Sequence, residues 1–348
     1  MKNTKKILCL LFALIALTLV MSISVFAEET TSRVVEVSTA AELKTAIECG
    51  QNNNITPKAP DGSVINDGDT IRLMADIGYD NKLTGLIYVK RNVTIDLNGH
   101  TLTTEGPRSV IMLMNGSITS SNGIANWVYY GTNNALRVYG NVSLIENINI
   151  VCYRRSGNTG DAAAGISILS SGTAGYGVGH VDTIKNVQMS GEALKVGLEV
   201  STTVNTVSGI TVTNATQYGI WAKGDCGTLT GCDISGAKAV YVNANNVSIE
   251  LKNCTLKGDN AIFDLANNGA NIVVDKATTE KITITGTDGV VFTGSGVASN
   301  FDVPGYTYVD GVIRCVGEHS YVEKTTLPTC TTVGSVVNKC EIINISLI

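Results

Sequence analysis

An Asn or Gly recurs at Asn147, Asn186, Gly209, Gly231 and Asn253, at steps of 39, 23, 22 and 22 residues. Each is followed at once by an apolar residue (Ile148, Val187, Ile210, Cys232, Cys254), and two positions later by another (Ile150, Met189, Val212, Ile234, Leu256). A period near 22 with alternating apolar positions describes a chain that coils, adding one rung of short strands per turn. Asn and Gly enter the left-handed αL region at least cost, so a tight bend repeated in every rung selects them. A second column, Ile145, Ile184, Val207, Leu229 and Leu251, keeps the same steps. The fold expected is all-β, a parallel β-helix of about 22 residues per rung. Regular rungs are expected to open at Gly197, Gly219, Ala239 and Ala261.

The first 27 residues read as an export signal rather than structure. Lys2, Lys5 and Lys6 form a basic segment, Ile7 to Val20 an apolar one, and Val25-Phe26-Ala27 a small-x-small cleavage site. An uncleaved anchor is the alternative. The polar residues Thr18, Ser22 and Ser24 and the cleavage pattern favour release. No later apolar run is long enough to span a bilayer. The expectation is therefore a secreted, extracellular or cell-surface protein, with bacterial origin as the default.

The charged fraction, 16%, is below the roughly 25% usual for soluble domains. Polarity comes instead from Asn, Thr, Ser and 36 Gly, as in an extracellular β protein with many turns. A net charge of −5 argues against nucleic acid or an anionic membrane as partner. Arg154-Arg155 and Lys90-Arg91 are the adjacent basic pairs before the tail, a thin basis for a polyanion cleft.

A lid is expected at the N-terminal end, because a first rung otherwise exposes an open strand edge. In "RVVEVSTAAELKTAIECG" a strand leads into a helix capped by Ser38 or Thr39. Glu42 stands three residues beyond Thr39, and Leu43, Ala46 and Ile47 share one face. Gly50 is expected to close the helix. Insertions at Arg154 to Ala164 and Gly172 to Gly179 are read either as walls of a groove or as plain surface excursions. The Asn-x-Ser/Thr triplets at Asn92, Asn141, Asn246 and Asn253 reflect bend geometry more readily than glycosylation.

"VTIDLNGHTL" (Val93 to Leu102), preceded by that helix and by "GDTIRL", resembles the opening of right-handed parallel β-helix proteins of the pectate-lyase-like superfamily. The likeness covers roughly residues 34–300. It implies the fold, export and a polysaccharide context, but not activity, since function rests on a site rather than on a scaffold.

Lyases of such a fold, as the resemblance implies, use an acidic calcium cluster and a basic residue on neighbouring rungs. Glycosidases need two facing carboxylates. "KGDNAIFDL" (Lys257 to Leu265) is similar to a polygalacturonase-type motif, but Asn260 replaces its second Asp, and Asp259-Asn260 reads as a turn. His100 reads as an inward, hydrogen-bonded packing residue, and His180 has no obvious carboxylate partner. Neither supports a triad.

One outward row is expected to bind. In Ile220-Trp221-Ala222, Val240-Tyr241-Val242 and Ile262-Phe263, alternation turns the middle residue outward. Trp221, Tyr241 and Phe263 would then stack on successive rungs, unless a loop or partner covers them. Flat rings suit sugar faces, and exposed apolar rows mark binding sites.

Cys232 and Cys254 stand one rung apart in the inward ladder, as buried thiols or as a rung-to-rung disulfide. From about Gly305 the chain changes character. Cys315, His319, Cys330 and Cys340 match a short Cys/His repeat that resembles those ending secreted bacterial surface proteins, with its closing Cys missing. Four such ligands form a weak zinc candidate, with a disulfide between two of the Cys as an equal alternative. No cofactor is required by the reading; calcium on the solenoid is unsupported.

Three segments result: a signal over 1–27, a capped β-helix over 28–304 and a small appendage over 305–348. The functional expectation is a non-catalytic secreted protein that binds extracellular polysaccharide or a cell-surface glycan. A polysaccharide lyase or glycosidase is the alternative.

Overall fold

The computed structural model describes residues 32–303 apart from 109, 158–159, 171–175 and 287–289, with the backbone of four further strands between 306 and 340. The 1–27 segment therefore lies outside the described residues. From Val34 the chain is a parallel β-solenoid of about nine turns, as the repeat predicts.

Each turn contributes up to three strands, and these stack into three ladders. Sheet 1 runs from Val34–Val37 through Thr70–Leu73, Thr94–Asp96, 117–119, 141–146, 180–185, Thr203–Ser208, Gly227–Thr230, Ser248–Lys252 and Ala270–Val274 to Ala298–Asp302. Sheet 2 starts with Leu83–Thr84, Leu102–Gly106 and Ala125–Gly131, continues with 148–153 and 187–190, and reaches Ile282–Ile284. Sheet 3 holds Ile87–Val89, 111–113, 136–138, Ala162–Ile168, Leu194–Val200, 218–222, 238–242, 261–265 and Val290–Thr293. Every pairing within these ladders is parallel, with strands about 4.8 Å apart.

The bend from sheet 1 to sheet 2 is the expected column. Asn147, Asn186, Gly209, Gly231 and Asn253 hold φ of 59°, 50°, 59°, 61° and 53°. The apolar residue after each bend, and the one two further on, is buried in all five turns. Earlier turns use wider bends, with Asn98 and Gly99 at φ 51° and 78°. In a late turn a short helix, Lys276–Thr279, takes the place of the bend. Its cap, Asp275, accepts from Thr278 N and from Asn253 N. Of the Asn-x-Ser/Thr sites, Asn246 and Asn253 are left-handed bends, whereas Asn92 is not.

The lid forms as expected. In the helix Ala40–Ile47 the Thr39 hydroxyl accepts from Glu42 N at 3.2 Å, and the Glu42 carboxylate accepts from Thr39 N at 3.1 Å. Leu43, Ala46 and Ile47 join the same core as Ile71 and Ile87. The helix ends at Ile47 with Glu48 as its cap, two residues before Gly50.

Cys232 and Cys254 are free, buried thiols. Each lies against a main-chain carbonyl one turn earlier: Cys254 Sγ donates to Leu229 O at 3.4 Å, and Cys232 Sγ faces Val207 O at 4.0 Å. Burial pushes the Cys152 and Cys226 thiols up to about 12. In the 154–164 segment Ala162–Ile168 is already a ladder strand, so the excursion is shorter than expected. After residue 305 the strands pair antiparallel, Tyr306–Val309 with Val312–Cys315 and Tyr321–Thr326 with Ser335–Cys340.

Phe263 departs from expectation. It is 1% exposed and sits in the inward column with Val240, while Asp264 aligns with Tyr241. The cause is one extra residue. Gly236 pairs with Gly258 and Lys238 with Ala261, so Ala237 alone stands opposite the two residues Asp259 and Asn260. A one-residue insertion flips every following side chain to the other face. Asp259 and Asn260 lie within the strand Thr255–Leu265 as this bulge, not as a separate turn.

Candidate functional site

The outward register of sheet 3 passes from Tyr88 to Met112, Arg137, Ser167, Glu199, Trp221, Tyr241, Asp264 and Thr293. Trp221 and Tyr241 are therefore outward neighbours, as alternation predicts, and both are half-buried. Their ring centroids are 5.8 Å apart at 36°. The third ring is Tyr218 in place of Phe263. It stacks on Tyr241 at 4.3 Å and 22°, and lies 5.8 Å from Trp221. Tyr218 opens the sheet 3 stretch 218–222, in register with Val196 and Lys238, and is three residues before Trp221 on the same rung.

Charge pairs frame this shelf on both sides. On one, Glu199 accepts from Ser167 Oγ at 2.8 Å and from Lys223 Nζ at 2.6 Å. The Lys223 ammonium stands 3.5 Å from the Trp221 ring centroid, a cation–π contact that covers part of one face. On the other side Lys238 pairs with Asp264 and lies 5.9 Å from the Tyr218 and Tyr241 rings. Burial, with Tyr218 and Asp264 alongside, raises the Tyr241 phenol above its ordinary range. The indole Nε1 of Trp221 is buried without a hydrogen-bond partner among the described residues. An unmade bond of that kind costs about 1–3 kcal/mol.

Glu199 and Asp264 are the two buried acids of the shelf, 8% and 6% exposed. They stand three rungs apart, roughly 14 Å along the backbone at the usual strand spacing. Glycosidase carboxyls act at about 5–9.5 Å. The spacing argues against this pair as an acid and base.

The histidines fall elsewhere. His100 is not inward: it follows the Asn98-Gly99 bend, which breaks the alternation, and its Nδ1 lies 3.1 Å from Asp76 Oδ1 at a part-exposed corner. His180 does have a carboxylate, Asp182, with Nε2 to Oδ1 at 3.0 Å, and Thr203 Oγ1 lies 2.6 Å from Nδ1. The order hydroxyl, imidazole, carboxylate is that of a triad. However, the Asp182 side chain is 58% exposed, and the orienting acid of a triad works because it is buried. Asn205 Nδ2 also donates to Asp182, which makes this a polar cross-strand cluster. Asp182 borders a cavity of about 340 Å³ shared with Asp67, Lys90, Asn92, Asn115, Asn141 and Ser143.

Among the described residues no three His, Cys, Asp or Glu side chains come together to hold a metal. Cys315, His319, Cys330 and Cys340 lie outside the residues whose side chains are described. Among the described residues no helix is long and apolar enough to cross a membrane. Comparison with protein-family models, with curated proteins and with solved structures finds no match to this chain.

Proposed function

We propose that the chain is a secreted, non-catalytic β-helix protein of the pectate-lyase-like kind that binds extracellular polysaccharide or a cell-surface glycan. The Tyr218–Trp221–Tyr241 shelf supports this reading most directly: three half-buried rings within 5.8 Å on an outward sheet face. Rings offer flat apolar faces to sugar C–H groups, and Lys223, Lys238 and their carboxylates supply hydrogen bonds at the rim.

Aromatic contacts contribute about 0.5–1.5 kcal/mol each beyond area burial. Three supply roughly 2–5 kcal/mol, against an association cost of about 4–15 kcal/mol. Affinity for one soluble chain is then near millimolar, and retention depends on many copies meeting a polymer surface. The test is retention of purified protein on a panel of insoluble polysaccharides. Trp221→Ala is expected to abolish retention while the cooperative unfolding transition persists. A folded variant that is still retained would place binding elsewhere.

A further inference from the structure

A second aromatic cluster lies on a different face, at the end of sheet 2. Glu105, Tyr130 and Tyr153 occupy one register column there. The rings of Tyr130 and Tyr153 stack with centroids 5.3 Å apart at 22°. Tyr79, from the short turn Tyr79–Asn81, meets Tyr130 edge-on at 5.0 Å. Tyr79 is 47% exposed and Tyr153 38%, so these rings are more open than those of the shelf.

A cationic rim completes the cluster. Lys82 Nζ lies 3.7 Å from the Tyr79 ring centroid and 3.0 Å from Glu105 Oε2. Arg155 donates from Nε to Glu105 Oε1 at 3.0 Å and keeps 40% of its side chain exposed. Glu105 thus uses the Nε edge of the guanidinium, and among the described residues the two terminal NH₂ groups have no hydrogen-bond acceptor. A guanidinium held in place with that fork open is suited to an oxyanion. Burial alone would raise the Glu105 carboxyl, but bonds from Lys82 and Arg155 outweigh it and keep the group ionised well below neutrality.

We infer that Tyr79, Tyr130, Tyr153 and Arg155 form a binding site for an anionic sugar unit, with sugar faces against the rings and its sulfate or carboxylate on Arg155. The open tyrosine faces favour a saccharide, and the single available fork favours one negative group per bound unit. The site is separate from the Trp221 shelf and stands whether or not that shelf binds.

The experiment is calorimetric or NMR titration of the full chain with three tetrasaccharides: chondroitin sulfate, hyaluronan and neutral chitotetraose. Binding of the charged probes, weakened by added salt, is expected to exceed that of the neutral one. Chondroitin sulfate binding above hyaluronan binding assigns the oxyanion as sulfate, and comparable binding assigns it as carboxylate. Tyr153→Ala and Arg155→Gln should each weaken the charged probes by about tenfold. Tyr79→Ala, outside the ladders, serves if Tyr153→Ala fails to fold. Equal binding of charged and neutral probes, no binding at millimolar concentration, or loss on Trp221→Ala alone would each overturn the inference. Failure of the shelf is read separately, from retention on insoluble polysaccharide.

Discussion

Asn186 donates a hydrogen bond from its side-chain Nδ2 to Oδ1 of Asn147, 2.7 Å away and one turn earlier, while both residues hold positive φ. Asn147 in turn donates to Ser120 O at 3.1 Å. The Asn column therefore does two things. Its backbone supplies the bend, and its amides link successive turns along the solenoid axis. Gly209 and Gly231 supply only the first.

These two roles separate by mutation. Asn186→Gly keeps the bend and loses the amide bond, which costs about 0.5–1.5 kcal/mol. Asn186→Val also forces a β-branched residue to a φ of 50°, adding about 1–3 kcal/mol of strain. Urea unfolding should rank wild type above Gly above Val. Equal midpoints for the two variants would contradict the bend assignment.

Asp96, inside "VTIDLNGHTL", explains part of that motif's form. Its carboxylate accepts from Asn98 N, Ser121 N, Ser121 Oγ and Arg72 Nε at 2.9, 2.9, 2.7 and 2.9 Å. Burial alone would raise its pKa, but these four donors outweigh burial and hold it below the ordinary carboxylate value. A depressed folded pKa means that the stabilisation is fully present above the unfolded value of about 3.9. It is lost as pH falls further, through the folded pKa. Asp96→Asn should cost about 3 kcal/mol near neutrality and flatten the acid limb of stability against pH. An unchanged acid limb would assign acid sensitivity to other carboxylates.

The columns at 145–151 and their repeats were legible because both bend and inward position restrict residue type. Trp221 and Tyr241 followed from alternation within regular rungs. Phe263 did not, because one added residue at Asp259-Asn260 is invisible to a period read at one-residue tolerance. Tyr218 and Thr203 reach their partners across rungs, so pairing decides their neighbours. Asp182 was within reach of the sequence, two residues from His180 and on the same face. Tyr79 and Tyr130 belong to the early turns, where wider bends obscure the period, whereas Tyr153 ends the strand after the Asn147 bend. Their convergence depends on the register of Glu105 with Tyr130 and Tyr153.

Phe263 gives the sharpest test of that register. Its ring lies 5.0 Å from Phe292 at 26°, and Phe292 meets Phe301 edge-on at 4.7 Å. An inward ring of this kind fills core volume, so Phe263→Ala should cost about 3–5 kcal/mol. An outward ring on the row with Trp221 would instead cost a fraction of that on truncation. Denaturant unfolding of Phe263→Ala beside Trp221→Ala reads the difference directly. Phe263→Ala should be much the less stable of the two while keeping its retention on polysaccharide under conditions where it stays folded. Near-equal stability would mean that the two-against-one bulge at Asp259-Asn260 is misplaced and that Phe263 lies outside the core.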